Sequence, residues 1–214
     1  MDQNSPSKRL QEYKWPAIIA IAVTLVALVV SAIVVKSPRL ASTETPADTD
    51  KLAIVDPSAP HVLAQVLLAA KANAAAFETP FFNAKEEAFT LNALKGQGVV
   101  LNFWATWCAP CVREMPALDN LAAKLKDRGV RVVTLAEDRK ALELVPPFYT
   151  DRGIQNLDIY YDLKSELSRA MSIEGLPTTL LISADGREIG RVQGPLEWDA
   201  DVIADYLAKT LGPQ

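Results

Sequence analysis

"FWATWCAPCVREMP", residues Phe103–Pro116, decides how this 214-residue chain is read. It holds both cysteines, Cys108 and Cys111, separated by Ala109 and Pro110. Ahead of it, Gly98–Trp104 is an apolar run of strand length. Behind it, Ala109–Arg128 has helical periodicity, with Met115, Leu118, Ala122 and Leu125 in one stripe and Gly129 placed to end it. Lys124, Lys126 and Arg128 fall in the last turns, where cations complement the negative end of the helix dipole. The spacing therefore puts Cys108 at a helix N-terminus, where unpaired N–H groups and the positive dipole end favour a thiolate. Cys111 follows one turn further in, near enough to close a disulfide. Cys108 is expected to be the exposed, attacking thiol and Cys111 the buried, resolving one. Pro110 suits the first turn, where its missing N–H costs nothing, and Trp104 and Trp107 are expected to form an apolar platform around the reactive sulfur.

Two rival uses of a Cys-x-x-Cys fit less well. A structural zinc site needs four ligands. The chain offers two cysteines and one histidine, His61, far from the pair, so no metal ligand set and no cofactor is expected. A purely structural clip over so short a loop removes little unfolded-state entropy. Redox exchange remains.

Outward from the motif, strands and helices alternate. Val130–Leu135 (VRVVTL) is a second buried strand, and Glu137 and Asp138 at its end read as caps of the next helix, with a position near the cysteines as the alternative. Pro146-Pro147 predicts a helix that begins only near Phe148 and runs to Arg152. Asn156–Tyr161 reads as a strand and Leu163–Met171 as a helix. Thr178–Ser183, the Ala184–Arg187 turn and Glu188–Val192 form an antiparallel hairpin. Asp199 is placed to cap a last helix carrying Val202, Ile203, Tyr206 and Leu207. The order predicts an α/β fold: a central mixed β-sheet flanked by helices on both faces.

The N-terminal part differs in kind. Pro16–Val35 is twenty residues without a charge, and at about 1.5 Å per residue it spans a bilayer core of roughly 30 Å. Lys8, Arg9 and Lys14 precede it, Lys36 and Arg39 follow it, and Trp15 suits the interface. A cleaved signal peptide is the rival, but this run is longer than such a core and lacks an Ala-x-Ala-like site. The expected organisation is a cytoplasmic tail (1–14), a transmembrane anchor (15–36), a Pro/Ser/Thr/Asp-rich tether (37–61), a helical extension (62–77) and one domain (78–214). In the extension Leu63, Val66, Leu67, Ala70 and Ala74 share a helical face. A net charge of −4 argues against nucleic acid as a partner.

The motif, with "GLPTTLLI" at Gly175–Ile182 and "GPLEWDADVI" at Gly194–Ile203, resembles the thioredoxin superfamily. Within it the chain looks like the membrane-anchored TlpA type, akin to ResA and CcmG. That resemblance implies a thioredoxin fold behind an N-terminal transmembrane helix in the cytoplasmic membrane, facing the periplasm. It also implies thiol:disulfide oxidoreductase activity. By position, Pro177 matches the family's cis-proline, beside Leu176, where a client strand pairs. Pro116 matches the proline of the active-site helix. Asn102 stands where cytoplasmic thioredoxins carry a buried aspartate, and Glu114 has the place of the glutamate that replaces it in the anchored subgroup. A solvated charge beside Arg113 is the other reading of Glu114. The turn Asn83–Glu87 departs from the family's Asp-Gly.

The spacer sets direction. Oxidant members place a histidine between the cysteines; Ala109-Pro110 has no such group to stabilise a thiolate, so the pair is expected to act as a reductant. The resemblance implies partners: oxidised periplasmic client proteins, and a membrane electron donor that re-reduces the pair. Copper-site proteins of a terminal oxidase or their copper chaperone are the first client class, apocytochromes awaiting haem the second. A copper-binding metallochaperone is disfavoured by the narrow cysteine spacing. A thiol peroxidase is disfavoured because Thr106 lies only two residues before Cys108 and the Cys-x-x-Cys favours disulfide exchange.

Overall fold

The structure, a computed structural model, describes residues 58–64, 66–72 and 74–213. The expected tail, anchor and most of the tether lie outside the described residues. Among the described residues no helix is long and apolar enough to cross a membrane.

The fold grows from strand β4, Gly98–Trp104, buried at every position. It is central, so both faces are covered and the sequence is apolar apart from Asn102 rather than alternating. Helix α2, Ala109–Leu125, returns the chain to β5, Val130–Ala136, which pairs with β4 in parallel from Gly98↔Val130 to Trp104↔Ala136. Helix α3 (Ala141–Arg152) leads to β6 (Ile159–Tyr161), again parallel, and α4 (Glu166–Ala170) follows. The direction then reverses. Strand β7 (Thr178–Ile182) lies antiparallel to β4, and β8 (Glu188–Gln193) antiparallel to β7. Helix α5, Asp201–Leu211, closes the domain.

Side-chain alternation along β4 splits the core in two. Val100 and Trp104 join Met115, Leu118 and Leu121 of α2 and Ile203 and Leu207 of α5. Val99, Leu101 and Phe103 point the other way, onto Phe77, Leu91, Leu167 and Met171. With a period of two, Asn102 shares the face of α2. Gly98 is required where α5 ends, because a Cβ there would meet Leu211 Cβ at 2.5 Å.

Residues 62–77 differ from the expected helical extension. The helix, α1, is only His61–Ala64; Leu67–Leu68 is a strand, β1, paired antiparallel with β8 (Leu67↔Val192, Leu68↔Arg191). A turn of 3₁₀ helix at Ala74–Glu78 then buries Ala76 and Phe77. The open edge of β8 explains the change, since pairing satisfies its backbone groups while Leu67 is buried. On the far edge, β2 (Phe81–Asn83) and β3 (Ala88–Phe89) form a hairpin beside β6. The described strands make one sheet, ordered β1-β8-β7-β4-β5-β6-β2-β3. Asn83 does the turn's work in place of Asp-Gly: its Oδ1 accepts from Lys85 N (2.9 Å) and Glu87 N (3.0 Å).

The second difference is α3, which runs straight through Pro146 and Pro147. Both prolines are exposed, while Val145 and Tyr149 on the opposite face are buried. Burial of that stripe outweighs the two missing backbone bonds. Thr150 Oγ1 donates to Pro146 O (3.1 Å). Third, Asp199 makes no side-chain cap on α5, whose N-cap is Ala200; it accepts from Asn120 Nδ2 of α2 instead (3.0 Å). Finally, the predicted strand over 156–161 and helix over 163–171 are present but shorter.

Candidate active site

Strand β4 ends at Trp104, and four residues later Cys108 is the N-cap of α2. Its Sγ accepts from Cys111 N at 3.4 Å, the bond an N-cap oxygen would ordinarily make. Cys108 and Cys111 form a disulfide, with Cα atoms 5.3 Å apart. Cys108 is 6% exposed and Cys111 0%, so both are buried in the oxidised pair, against the expectation of an exposed Cys108, which keeps only the slightly greater access. Pro110 sits in the first turn of α2 and Pro116 inside the helix.

The loop between strand and helix is pinned from β5. Thr106 N and Oγ1 both donate to the Asp138 carboxylate (3.0 and 2.6 Å). Glu137 Oε2 accepts from Ser165 Oγ (2.7 Å) and Ser168 Oγ (3.2 Å). Neither acid is the N-cap of α3; that position is Lys140, which makes no side-chain capping bond. Their positions correct the cap reading: the turn after β5 bends toward the motif, and unsatisfied donors lie there.

The tryptophan platform is also half corrected. Trp104 is fully buried, its ring centroid 5.0 Å from Phe148 and 6.1 Å from Tyr149. The period-two alternation of β4 forces it into the core. Trp107, 71% exposed, is the one that offers a surface.

The Leu176–Pro177 peptide is cis. Thr178, the next residue, pairs with Phe103, so register places Pro177 beside the end of β4, where the motif begins. Gly194 N donates to Pro177 O (2.9 Å) and Thr178 Oγ1 to Gly175 O (2.7 Å), which fix the turn from both sides.

Glu114 lies one helical turn beyond Cys111 and is buried, 4% exposed. It is no solvated charge. Oε1 accepts from Asn102 Nδ2 (2.8 Å); Oε2 accepts from Leu196 N (3.2 Å) and Trp198 Nε1 (3.3 Å). Burial pushes its pKa up to about 7, against the pull of these three donors, Asn102 first. Asn102 Nδ2 also donates to Thr179 Oγ1 (2.9 Å), and its buried Oδ1 has no partner among the described residues. An amide offers a donor to the carboxylate and, turned over, an acceptor to the protonated acid. Asn102 can therefore serve both states of Glu114 without itself titrating.

Leu196 and Trp198 were not singled out from the sequence as site residues, although the stretch Gly194–Ile203 carries part of the family resemblance. The signal available was an aromatic residue just ahead of the last helix, which on its own indicates core packing. Glu137, burdened mainly by burial and then helped by Ser165, is also pushed up to about 7. A cavity of about 670 Å³ lies at the other end of β5 around Gly129–Val132, and no cysteine lines it.

A family model described as Redoxin matches residues 69–207, well over half the chain. The chain belongs to the Redoxin family. Relatives within reach include the thiol-disulfide oxidoreductase ResA of Bacillus thuringiensis subsp. konkukian (strain 97-27), 35% identical over 127 residues. ResA of Bacillus subtilis (strain 168) is 34% identical over 117 residues. These matches cover 56% and 55% of this chain and 66% and 63% of those proteins, just under two thirds of their length. Among solved structures, a thiol:disulfide interchange protein DsbE from Chlorobium tepidum superposes with a TM-score of 0.52 at 26% identity, over 61% of this chain and 89% of that one. The domain thus has the thioredoxin-like α/β fold of the Redoxin family. Its recognition as a chain of the TlpA, ResA and CcmG type rests on these likenesses together with the motif.

Proposed function

We propose that this Redoxin protein is a thiol:disulfide oxidoreductase that reduces disulfides in client proteins outside the cytoplasmic membrane. The observation that carries the reading is the Cys108–Cys111 disulfide at the start of α2, with Cys108 at the helix N-cap and Cys111 fully enclosed. In the reduced protein the Cys108 thiolate attacks a client disulfide. One S–S bond forms between Cys108 and the client, the client's own S–S bond breaks, and the first client sulfur leaves as a thiolate that takes a proton from solvent. Cys111 then gives its proton to the Glu114 carboxylate and attacks Cys108 Sγ. The Cys108–Cys111 disulfide forms, the second client sulfur leaves, and Glu114 returns the proton to it. Two electrons pass from the pair to the client. A carboxyl titrating near neutrality, one turn from Cys111, is suited to that exchange.

The client strand lies along Leu176–Pro177 and adds to the free backbone there. Residues 15–36 anchor the protein in the cytoplasmic membrane, and a membrane electron donor re-reduces the pair. Copper-site proteins of a terminal oxidase are the client class, because their ligand cysteines must be reduced before metal enters; apocytochromes share that chemistry. Trapping tests the reading. Cys111→Ser should accumulate a mixed disulfide through Cys108 with an oxidised client, whereas Cys108→Ser should accumulate none. Equal trapping by both variants would defeat the assignment of roles.

A further inference from the structure

Disulfide exchange uses the sulfurs, Glu114 and the Pro177 turn, and leaves aside a cavity of about 250 Å³ beside them. Trp107 and Leu176 form part of its wall, and these are the residues immediately before Cys108 and Pro177. Glu137, Ser165 and Ser168 line it from the end of β5 and the start of α4, and Glu174 from the turn before Leu176. The two acids are not equivalent. Glu174 is exposed and paired with Lys71 Nζ at 3.0 Å. Glu137 has one oxygen on Ser165 and Ser168, while its other, Oε1, is buried without a partner among the described residues. Asp162 nearby opposes its charge and Arg169 of α4 favours it, yet Arg169 donates no hydrogen bond to it. Glu137 is half-buried; a carboxylate with one oxygen enclosed and unpaired is costly, and a cation brought to it lowers that cost.

We propose that this cavity is a side-chain subsite for a lysine or arginine of the client, with the charged head on Glu137. The proposal rests on the reductase reading and names the substrate class it favours. A client strand added along Leu176–Pro177 sends alternate side chains to opposite faces, so residues two positions from its cysteine share the cysteine's face and reach the cavity. A lysine or arginine stem packs on apolar surface, here Leu176, while the indole of Trp107 attracts the cation.

The test uses the full-length chain and two disulfide peptides, identical except for lysine or glutamine two residues either side of the attacked cysteine. Reduction is followed as kcat/KM, and binding as Kd of the same peptides with their cysteines S-methylated. At pH 8 the lysine peptide should be preferred about tenfold in both measurements, the order of one desolvated charge pair. The preference should shrink toward unity at pH 5.5, where Glu137 is protonated, and be lost at pH 8 in Glu137→Gln. Equal binding of the two peptides by the wild-type chain overturns the subsite. So does a preference that survives Glu137→Gln or does not change with pH, because the field of the acidic chain would then explain it. No reduction of either peptide, with the lysine preference in binding intact, defeats the reductase reading and leaves the subsite standing.

Discussion

Glu114 shows how one residue is pulled both ways. Burial disfavours its charge, Asn102, Leu196 N and Trp198 favour it, and the balance leaves it near 7. The folded pKa is raised above the ordinary 4.5. The group therefore adds stability that is fully present below pH 4.5 and is lost as pH rises to 7, up to about 3 kcal/mol. Urea denaturation of the oxidised chain at pH 4.5 and 7.5 should show that loss, and Glu114→Gln should remove Glu114's share of it. An identical pH slope in the variant would contradict the burial of this charge. The indole donor has its own signature. Trp198→Phe keeps most of the ring but removes Nε1–H, and should raise the Glu114 pKa further by about one unit. Carboxyl ¹³C NMR titration reads this directly, and an unmoved midpoint would assign the indole to packing alone.

At the scale of elements, legibility follows how much a segment's structure is decided by its own sequence. Strand β4, helix α2 and strand β5 were readable because each buries a full periodic face. Residues 62–77 were not, since Leu67–Leu68 became a strand only by meeting the edge of β8, a partner more than a hundred residues away. Helix α3 was misjudged because proline's local cost was visible and the burial of Val145 and Tyr149 was not. The site divides the same way. Cys108, Cys111 and Pro177 sit in local motifs. The fate of Glu137 and Asp138 depended on where Ser165, Ser168 and Thr106 came to lie. The α3 explanation can be tested: Pro146 and Pro147 are exposed, so replacing both by alanine disturbs no packing. It should stabilise the domain by about 1–3 kcal/mol in urea, the restored helix bonds exceeding the gain in unfolded-chain entropy. Destabilisation would mean that the prolines shape the helix for its contacts.

Across the whole molecule, a buried ion pair ties the sheet edge to the approach of the active-site turn. Arg191 Nε and Nη2 donate to Glu188 Oε1 and Oε2 at 2.6 and 2.7 Å. Arg191 Nη1 donates to Met171 O (3.0 Å), and Lys71 N and Ala72 N donate to Glu188 Oε2 (3.2 and 2.7 Å). Arg191→Met would strand a buried carboxylate and cost about 3–5 kcal/mol, whereas Arg191→Met with Glu188→Met should recover most of it. Denaturation of both variants checks this. The chemistry at the other end of that scaffold depends on electron flow. With Ala109-Pro110 between them, no charged group in the spacer stabilises the thiolate. The measurement that decides is the reduction potential of the Cys108–Cys111 couple in the full-length chain, by equilibration with glutathione or dithiothreitol buffers. A value near −270 mV is expected of a reductant, whereas a value near −120 mV would make the pair an oxidant of client thiols and reverse the proposed direction.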